Sequence, residues 1–226
     1  MRIAVTGADG RLGRAVVAAL NEAPFTGPGG ALAWNRAEFD LDQPEPIGDR
    51  LLRDRIETVV HCAAWTDVDA CARDPELALA RNGRATGVLA EECAANGIDL
   101  IAVSTNEVFD GRRTDGRGYA ADDPAHPINA YGASKLAGGA FAGTHHIVNS
   151  GIASRADWAR ELFRQAGERV EVEDVPLSTW TRDSSPPLWA VLAPTPLPSG
   201  QPMPPWQLAL AHYLPDLQRQ RSTTVA

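Results

Sequence analysis

The stretch that most constrains this chain is TGADGRLGR, residues 6–14. Gly7, Gly10 and Gly13 recur every third residue. Before them lies a short apolar run, RIAVT over 2–6. After them RLGRAVVAAL, over 11–20, carries apolar residues at helical spacing. Glycines in such a turn let the backbone reverse tightly and let a diphosphate approach its amides. The helix N-terminus then adds partial positive charge and free N–H donors. A glycine pattern alone also serves as a plain tight turn; the strand before it and the helix after it point to a nucleotide. The turn therefore predicts a strand–loop–helix unit with Gly7, Gly10, Arg11, Leu12 and Gly13 at a cofactor.

The following segments repeat the same cadence. ALAWN (31–35), IETVVHCAA (56–64) and IDLIAVST (98–105) read as further strands, the second apolar enough to be buried on both faces. Residues 75–96 are helical, with Pro75 suited to a first turn and Gly97 to a stop. Alternation of strand and helix predicts an α/β fold with right-handed crossovers, a Rossmann-like doubly wound parallel sheet with helices on both faces. A polar loop over 110–128 is long enough to suggest function, and 130–138 is helical by composition. Beyond about residue 143 the texture changes. His146–Val148 reads as a short strand, Ser154–Gly167 as a helix with a Ser154/Asp157 capping box, and 170–177 as an alternating strand. Residues 184–205 read as proline-rich connector, PWQLALAHYL (205–214) as a last helix, and the final residues as frayed. The expected division is a dinucleotide-binding domain over 1–143 and a small C-terminal substrate lobe over 144–226.

Composition excludes several classes. The formal charge is −8, from 21 basic and 29 acidic residues, with no basic stripe to meet a nucleic acid. No apolar run reaches the ~18 residues of a membrane span. The start of the chain lacks the basic flank and longer apolar core of a signal peptide. Cys62, Cys71 and Cys93 match no metal or redox spacing and read as small buried hydrophobes in a reducing cytoplasm. His145 and His146 are adjacent on an extended run and face opposite ways, so they do not chelate together; no metal site is expected. His61, inside an apolar strand, reads as a hydrogen-bonded core histidine. Four late tryptophans, Trp158, Trp180, Trp189 and Trp206, read as packing rather than as stacking on a base.

The end of the second strand bears on cofactor type. An NAD site wants an acid there for the ribose 2′-hydroxyl. Here the strand ends in Trp34-Asn35-Arg36, and the planar fork of Arg36 suits a 2′-phosphate. NADPH is favoured and NADH remains open, with Asp40 and Leu41 placed along the adenine. Tyr131 and Lys135 lie one helical turn apart and share a face. A phenol is a poor acid or base at neutral pH, with a free pKa of ~10, and a nearby ammonium lowers that value. Thr105 sits at the carboxyl end of the fourth strand, the edge where open α/β sheets bind ligands. Its neighbour Ser104 is expected to face the other way.

These residues resemble the extended short-chain dehydrogenase/reductases, and most closely the dTDP-4-dehydrorhamnose reductase family. The resemblance rests on TGADGRLG, HCAAWTDVDAC, STNEVFDG and PINAYGASKLAG, and on HHIVNSGIASRADWAREL and MPPWQLALAHYL near the end. It implies NADPH-dependent reduction of the 4-keto group of a nucleotide-linked 6-deoxyhexose, as in dTDP-rhamnose biosynthesis. It implies Tyr131 as proton donor, Lys135 on the nicotinamide ribose and tuning Tyr131, and Thr105 on the keto oxygen. Ala63, Ala64 and Trp65 would line the cofactor trough, and Asn106, Glu107 and Val108 would lie beside the substrate. Asn106 stands where the family often has Asp. The resemblance further implies a cytoplasmic protein, with a homodimer open. A non-catalytic alternative exists, because the regulatory subunit of methionine adenosyltransferase is similar to the same family.

In one respect the chain departs from the family pattern. There the tyrosine helix is followed by further strand and helix units before the HHIVNSG segment. Here Lys135 and His145 are ten apart in number. On the order of 60 residues, at ~30 per unit, are absent, with the junction near Gly138–Phe141. Three explanations stay open: numbering that runs on across an omitted segment, an internal deletion, or a minimal variant that closes its sheet differently. The third is disfavoured, because losing a strand exposes a hydrophobic sheet edge.

Overall fold

The structure, a computed structural model, describes residues 1–139 and 143–224. Two compact units are built from interleaved segments. The first comprises 1–112, 124–142 and 182–189; the second comprises 113–123, 143–181 and 190–226. The junction expected near 138–141 runs into Ala140–Ala142, outside the described residues.

The first unit is organised by four parallel strands: β1 (Ile3–Thr6), β2 (Leu32–Trp34), β3 (Thr58–His61) and β4 (Asp99–Ala102). Their spatial order is β2-β1-β3-β4. The order reverses between β1 and β3, and at such a switch point loops leaving the strand ends part to form a crevice. The α/β class and doubly wound parallel sheet are as the sequence cadence predicts. Helices α1 (Arg11–Glu22), α2 (Ile47–Arg53), α3 (Val68–Arg73), α4 (Pro75–Ala78), α5 (Ala85–Ala95) and α6 (Ala130–Leu136) complete the unit, with a short 3₁₀ turn over Asn106–Val108. The two short helices α2 and α3 escape the sequence reading.

Alternation along the strands divides the sheet into two faces. One carries Ala4, Val59 and Leu100, packed with Ile47 and Leu51 of α2 and Leu89 and Cys93 of α5 around Trp34 and Phe39. The other carries Val5, Val60 and Ile101 in register. Val5 is fully buried on this face, whereas Ile101 is 58% exposed. Cover thus fades from β1 towards β4.

The predicted 75–96 helix forms, but not as one α-helix. Between α4 and α5, residues Leu79–Arg84 open into a wide π turn, a distortion that frequently marks functional sites. Gly97 follows with φ 65°, as a stop signal requires.

The second unit holds α7 (Arg155–Ala166), α8 (Trp206–Thr224) and a 3₁₀ turn at Leu177–Thr179. The Ser154/Asp157 capping box is present and Gly167 ends α7 in the left-handed conformation. Two predicted strands do not form. Around residue 146 the chain exchanges bonds with Thr195: His146 N–H donates to its hydroxyl (2.8 Å) and Thr195 N–H to the His146 carbonyl (3.0 Å). That is one contact, not a ladder. Residues 170–176 are mostly exposed and belong to no strand; Arg160 of α7 instead takes the Val172 carbonyl and the Asp174 carboxylate. Alternation without a neighbouring strand leaves backbone groups to side chains and water. The last helix runs past its predicted end, through Pro215 to Thr224. The expected fraying falls partly on Val225 and Ala226, outside the described residues. Among the described residues no helix is long and apolar enough to cross a membrane, and the three cysteines are free.

Candidate active site

A cavity of about 660 Å³ opens at the switch point, within the first unit. That is in the range of small-molecule and cofactor sites. Its floor is the glycine turn. Gly7 has φ 65°, and a Cβ there would stand 2.8 Å from the Ala63 backbone, so glycine alone lets the loops after β1 and β3 touch. Gly10 N–H closes the turn on the Gly7 carbonyl (2.9 Å). Helix α1 starts at Arg11 with no side-chain cap and no acid in its first turn, which leaves its N-terminal donors for an anion. Gly7, Gly10, Arg11, Leu12 and Gly13 all line the cavity, as do Asn35, Arg36, Asp40, Leu41, Ala63, Ala64, Trp65, Tyr131 and Lys135.

A hydrogen-bonded chain anchors the floor to the helices behind it. Thr86 Oγ1 donates to the Asn82 carbonyl (2.7 Å) and so accepts from His61 Nε2–H (3.1 Å). The other imidazole nitrogen, Nδ1, then accepts from Thr6 Oγ1 (2.7 Å), which itself accepts from Ala63 N–H (3.2 Å). His61 is the hydrogen-bonded core histidine that its apolar strand predicts. Burial, with the Lys135 charge nearby, pushes its pKa down to about 3, so the ring is neutral.

Asn82, 2% exposed inside the π turn, joins two walls of the cavity. Its side chain accepts from Trp65 N–H (2.8 Å) and donates to the Trp65 carbonyl (3.0 Å) and to Ser134 Oγ (3.0 Å) on α6. The wide turn gives an asparagine on the helix this reach. The sequence reading missed it; an Asn-Gly pair inside an otherwise helical run was the available signal. Arg81, Asp42, Cys62, Val103 and Ser104 also line the cavity without having been singled out as site residues. The expectation that Ser104 faces away is corrected: β4 ends at Ala102, so strict alternation no longer governs residues 103–105.

Helix α6 brings Tyr131 and Lys135 to the cavity. Asn129 caps it, accepting from Gly132 N–H (2.8 Å) and donating to Glu107 Oε2 (2.7 Å). A Cβ at Gly132 would collide with the Glu107 carbonyl at 2.1 Å; glycine therefore lets α6 press against the 3₁₀ turn after Thr105. Thr105 caps that turn, accepting from Glu107 N–H (3.2 Å). The resemblance places Asn106, Glu107 and Val108 beside the substrate. In the structure neither they nor Thr105, the expected partner of the keto oxygen, is on the cavity wall, and Val108 is buried.

The electrostatics differ from the sequence expectation. Burial raises the Tyr131 pKa, opposed by its hydrogen bond with Thr105; Lys135 is not among the causes. The predicted lowering by Lys135 is therefore corrected: desolvation sets the direction of the shift, and Tyr131 is a neutral phenol. Burial also lowers Lys135 to about 8, the Cys62 thiol acting slightly the other way. The ammonium prevails at neutral pH and is lost just above it.

The RmlD substrate binding domain family matches residues 1–142, the whole of the cavity included. The chain belongs to the RmlD substrate binding domain family. Among relatives, dTDP-4-dehydrorhamnose reductase of Streptomyces griseus is 38% identical over 135 residues, 59% of this chain and 42% of that protein. The enzyme of the same name from Burkholderia thailandensis is 36% identical over 199 residues, 80% of this chain and 62% of its own. This RmlD-family chain thus spans about half the length of the curated relatives it matches. A crystal structure of dTDP-4-dehydrorhamnose reductase from Bacillus anthracis, in complex with NADP, superposes with a TM-score of 0.83 over 95% of this chain and 99% of that one. At 22% identity that likeness concerns the fold.

Proposed function

We propose that the chain is an NADPH-dependent reductase of the 4-keto group of a nucleotide-linked 6-deoxyhexose, acting in dTDP-rhamnose biosynthesis. One observation carries the reading: Tyr131 and Lys135 line the same cavity as an uncapped glycine turn. The names of the relatives and the NADP complex of the Bacillus anthracis protein support it. The turn and the first amides of α1 fit a diphosphate, and Arg36 lies beyond β2 for the adenosine end. When bound, the reduced nicotinamide supplies a hydride. The chain's own part is the proton. Tyr131, kept neutral by burial, holds a proton to give to the carbonyl oxygen as negative charge develops there, and Thr105 orients the phenol. Lys135, cationic below its pKa of about 8, is the proposed partner of the nicotinamide ribose. Residues 144–226, less 182–189, are the proposed substrate lobe, and Asn106 and Glu107 are proposed substrate contacts, whereas the buried Val108 is not.

The free thiols support a cytoplasmic setting. The uncovered Ile101 on the end strand β4 supports a homodimer, testable by analytical ultracentrifugation. The decisive assay is NADPH oxidation with dTDP-4-dehydrorhamnose. We expect turnover, and Tyr131→Phe to reduce it about 10²–10⁴-fold, the range for a general acid, with coenzyme binding retained. Coenzyme binding without turnover in the unmodified protein points to the non-catalytic, regulatory alternative.

A further inference from the structure

At the β2 end of the cavity a carboxylate occupies the place between two arginines. Arg81, on the π turn, donates Nε–H to Asp42 Oδ1 (2.6 Å) and Nη2–H to Oδ2 (2.8 Å). Arg36 donates Nη2–H to the same Oδ2 (2.7 Å) and reaches Asp40 Oδ2 through Nε (3.3 Å). Asp42 thus gathers three N–H donors from two guanidiniums, the arrangement a phosphate monoester seeks. The carboxylate is itself fixed: Asp42 N–H donates to Asp40 Oδ1 (3.0 Å), and Gln43 N–H to the Asp40 carbonyl (3.1 Å). Arg81 is held from its other side as well, with its guanidinium 5.1 Å from the centre of the Trp65 ring. Arg81 and Asp42 are mostly covered, at 25% and 31% exposure, whereas Arg36 is 72% exposed.

The consequence is a charge balance. Two arginines face Asp40 and Asp42, so the local sum is zero. A 2′-phosphate arriving here meets two arginines that are both already engaged, the exposed Arg36 and the covered Arg81, with a fixed negative charge beside them. We propose that Asp42 is a built-in competitor for the coenzyme's 2′-phosphate and that it, rather than Arg36, sets how far this chain distinguishes phosphorylated from unphosphorylated coenzyme. Asp42 touches the arginines and acts through them; it is a specificity determinant, not a catalytic residue. The inference rests on the coenzyme reading above and adds what the bare presence of Arg36 does not supply: a preference for NADPH that is present but shallow.

Calorimetric titration of NADP⁺ and NAD⁺ tests this on the unmodified chain and on Asp42→Asn, with 2′-AMP and 5′-AMP as probes lacking the nicotinamide. The unmodified protein should prefer NADP⁺ by no more than about tenfold. Asp42→Asn should widen that preference by at least another factor of ten, about 1.4 kcal/mol, and 2′-AMP should gain over 5′-AMP in parallel. Adding Arg81→Gln to Asp42→Asn should remove the gain. A hundredfold preference in the unmodified protein overturns the proposal whether or not the variant folds. So does an unmoved ratio in Asp42→Asn, while the coenzyme reading stands. If neither dinucleotide binds the unmodified protein, the coenzyme reading fails and Asp42 loses its role with it.

Discussion

The two units reach order by different means. The first buries Trp34, Leu51 and Leu89 to 2% or less around a hydrogen-bonded sheet. The second has two helices joined by long extended connectors, and α7 contains no buried residue. Its buried apolar side chains, among them Tyr119, Leu210 and Leu214, lie 5–8% exposed. In a sheet, each strand satisfies its neighbour's backbone and presents a face to a helix, so one packing decision fixes many residues. Connectors are satisfied bond by bond, as His146 with Thr195 or Arg160 with Val172, and each such bond contributes only about 1 kcal/mol net. The first unit should therefore open as one body and the second in pieces.

Three experiments press on that contrast. The largest effect is expected from Leu89→Ala, which empties space under the sheet and should cost about 2–5 kcal/mol in urea unfolding. Trp158→Ala on α7, with Trp158 45% exposed, should stay below about 1 kcal/mol; comparable losses would abolish the distinction. Acid comes next. The His61 pKa falls from about 6.5 unfolded to about 3 folded. Below 6.5 the unfolded chain binds the extra proton, so stability should decline as pH drops from 6.5 towards 3. The loss is about 2 kcal/mol by pH 5, at roughly 1.4 kcal/mol per unit. His61→Gln should flatten that part of the melting-temperature profile; an unchanged slope would place the acid sensitivity elsewhere. The smallest effect belongs to the capping box. Ser154→Ala should cost about 1 kcal/mol and speed amide exchange in α7 while leaving β1 and β3 unaltered. Faster exchange in the strands as well would mean the units open together.

The same contrast governs what could be read in advance. Strands β1 to β4 and the glycine turn were legible because continuous apolar runs and glycines at fixed intervals have few other uses. Helices α2 and α3 are too short, at seven and six residues, for a period to declare itself. The strands expected around 146–148 and 170–177 failed for the opposite reason: alternation states a preference, but a strand exists only where a neighbour takes its hydrogen bonds. At the site, Tyr131 and Lys135 were visible by their spacing. The phenol's pKa direction was not, because it depends on how much water the fold removes. Asn82 stayed hidden because it acts through the backbone of Trp65 and the side chain of Ser134, both distant in sequence.

The relay from the Ala63 amide through Thr6, His61 and Thr86 to the Asn82 carbonyl has one more consequence. Each hydroxyl owns a single hydrogen and has already committed it, and both ends are peptide groups that cannot exchange roles. The row therefore has one polarity, and no link can be reversed alone. A methyl in place of either hydroxyl would strand an imidazole nitrogen, and loss of the Thr6 hydroxyl would also free the Ala63 amide, so that damage behind the cleft would be felt as looseness at its base.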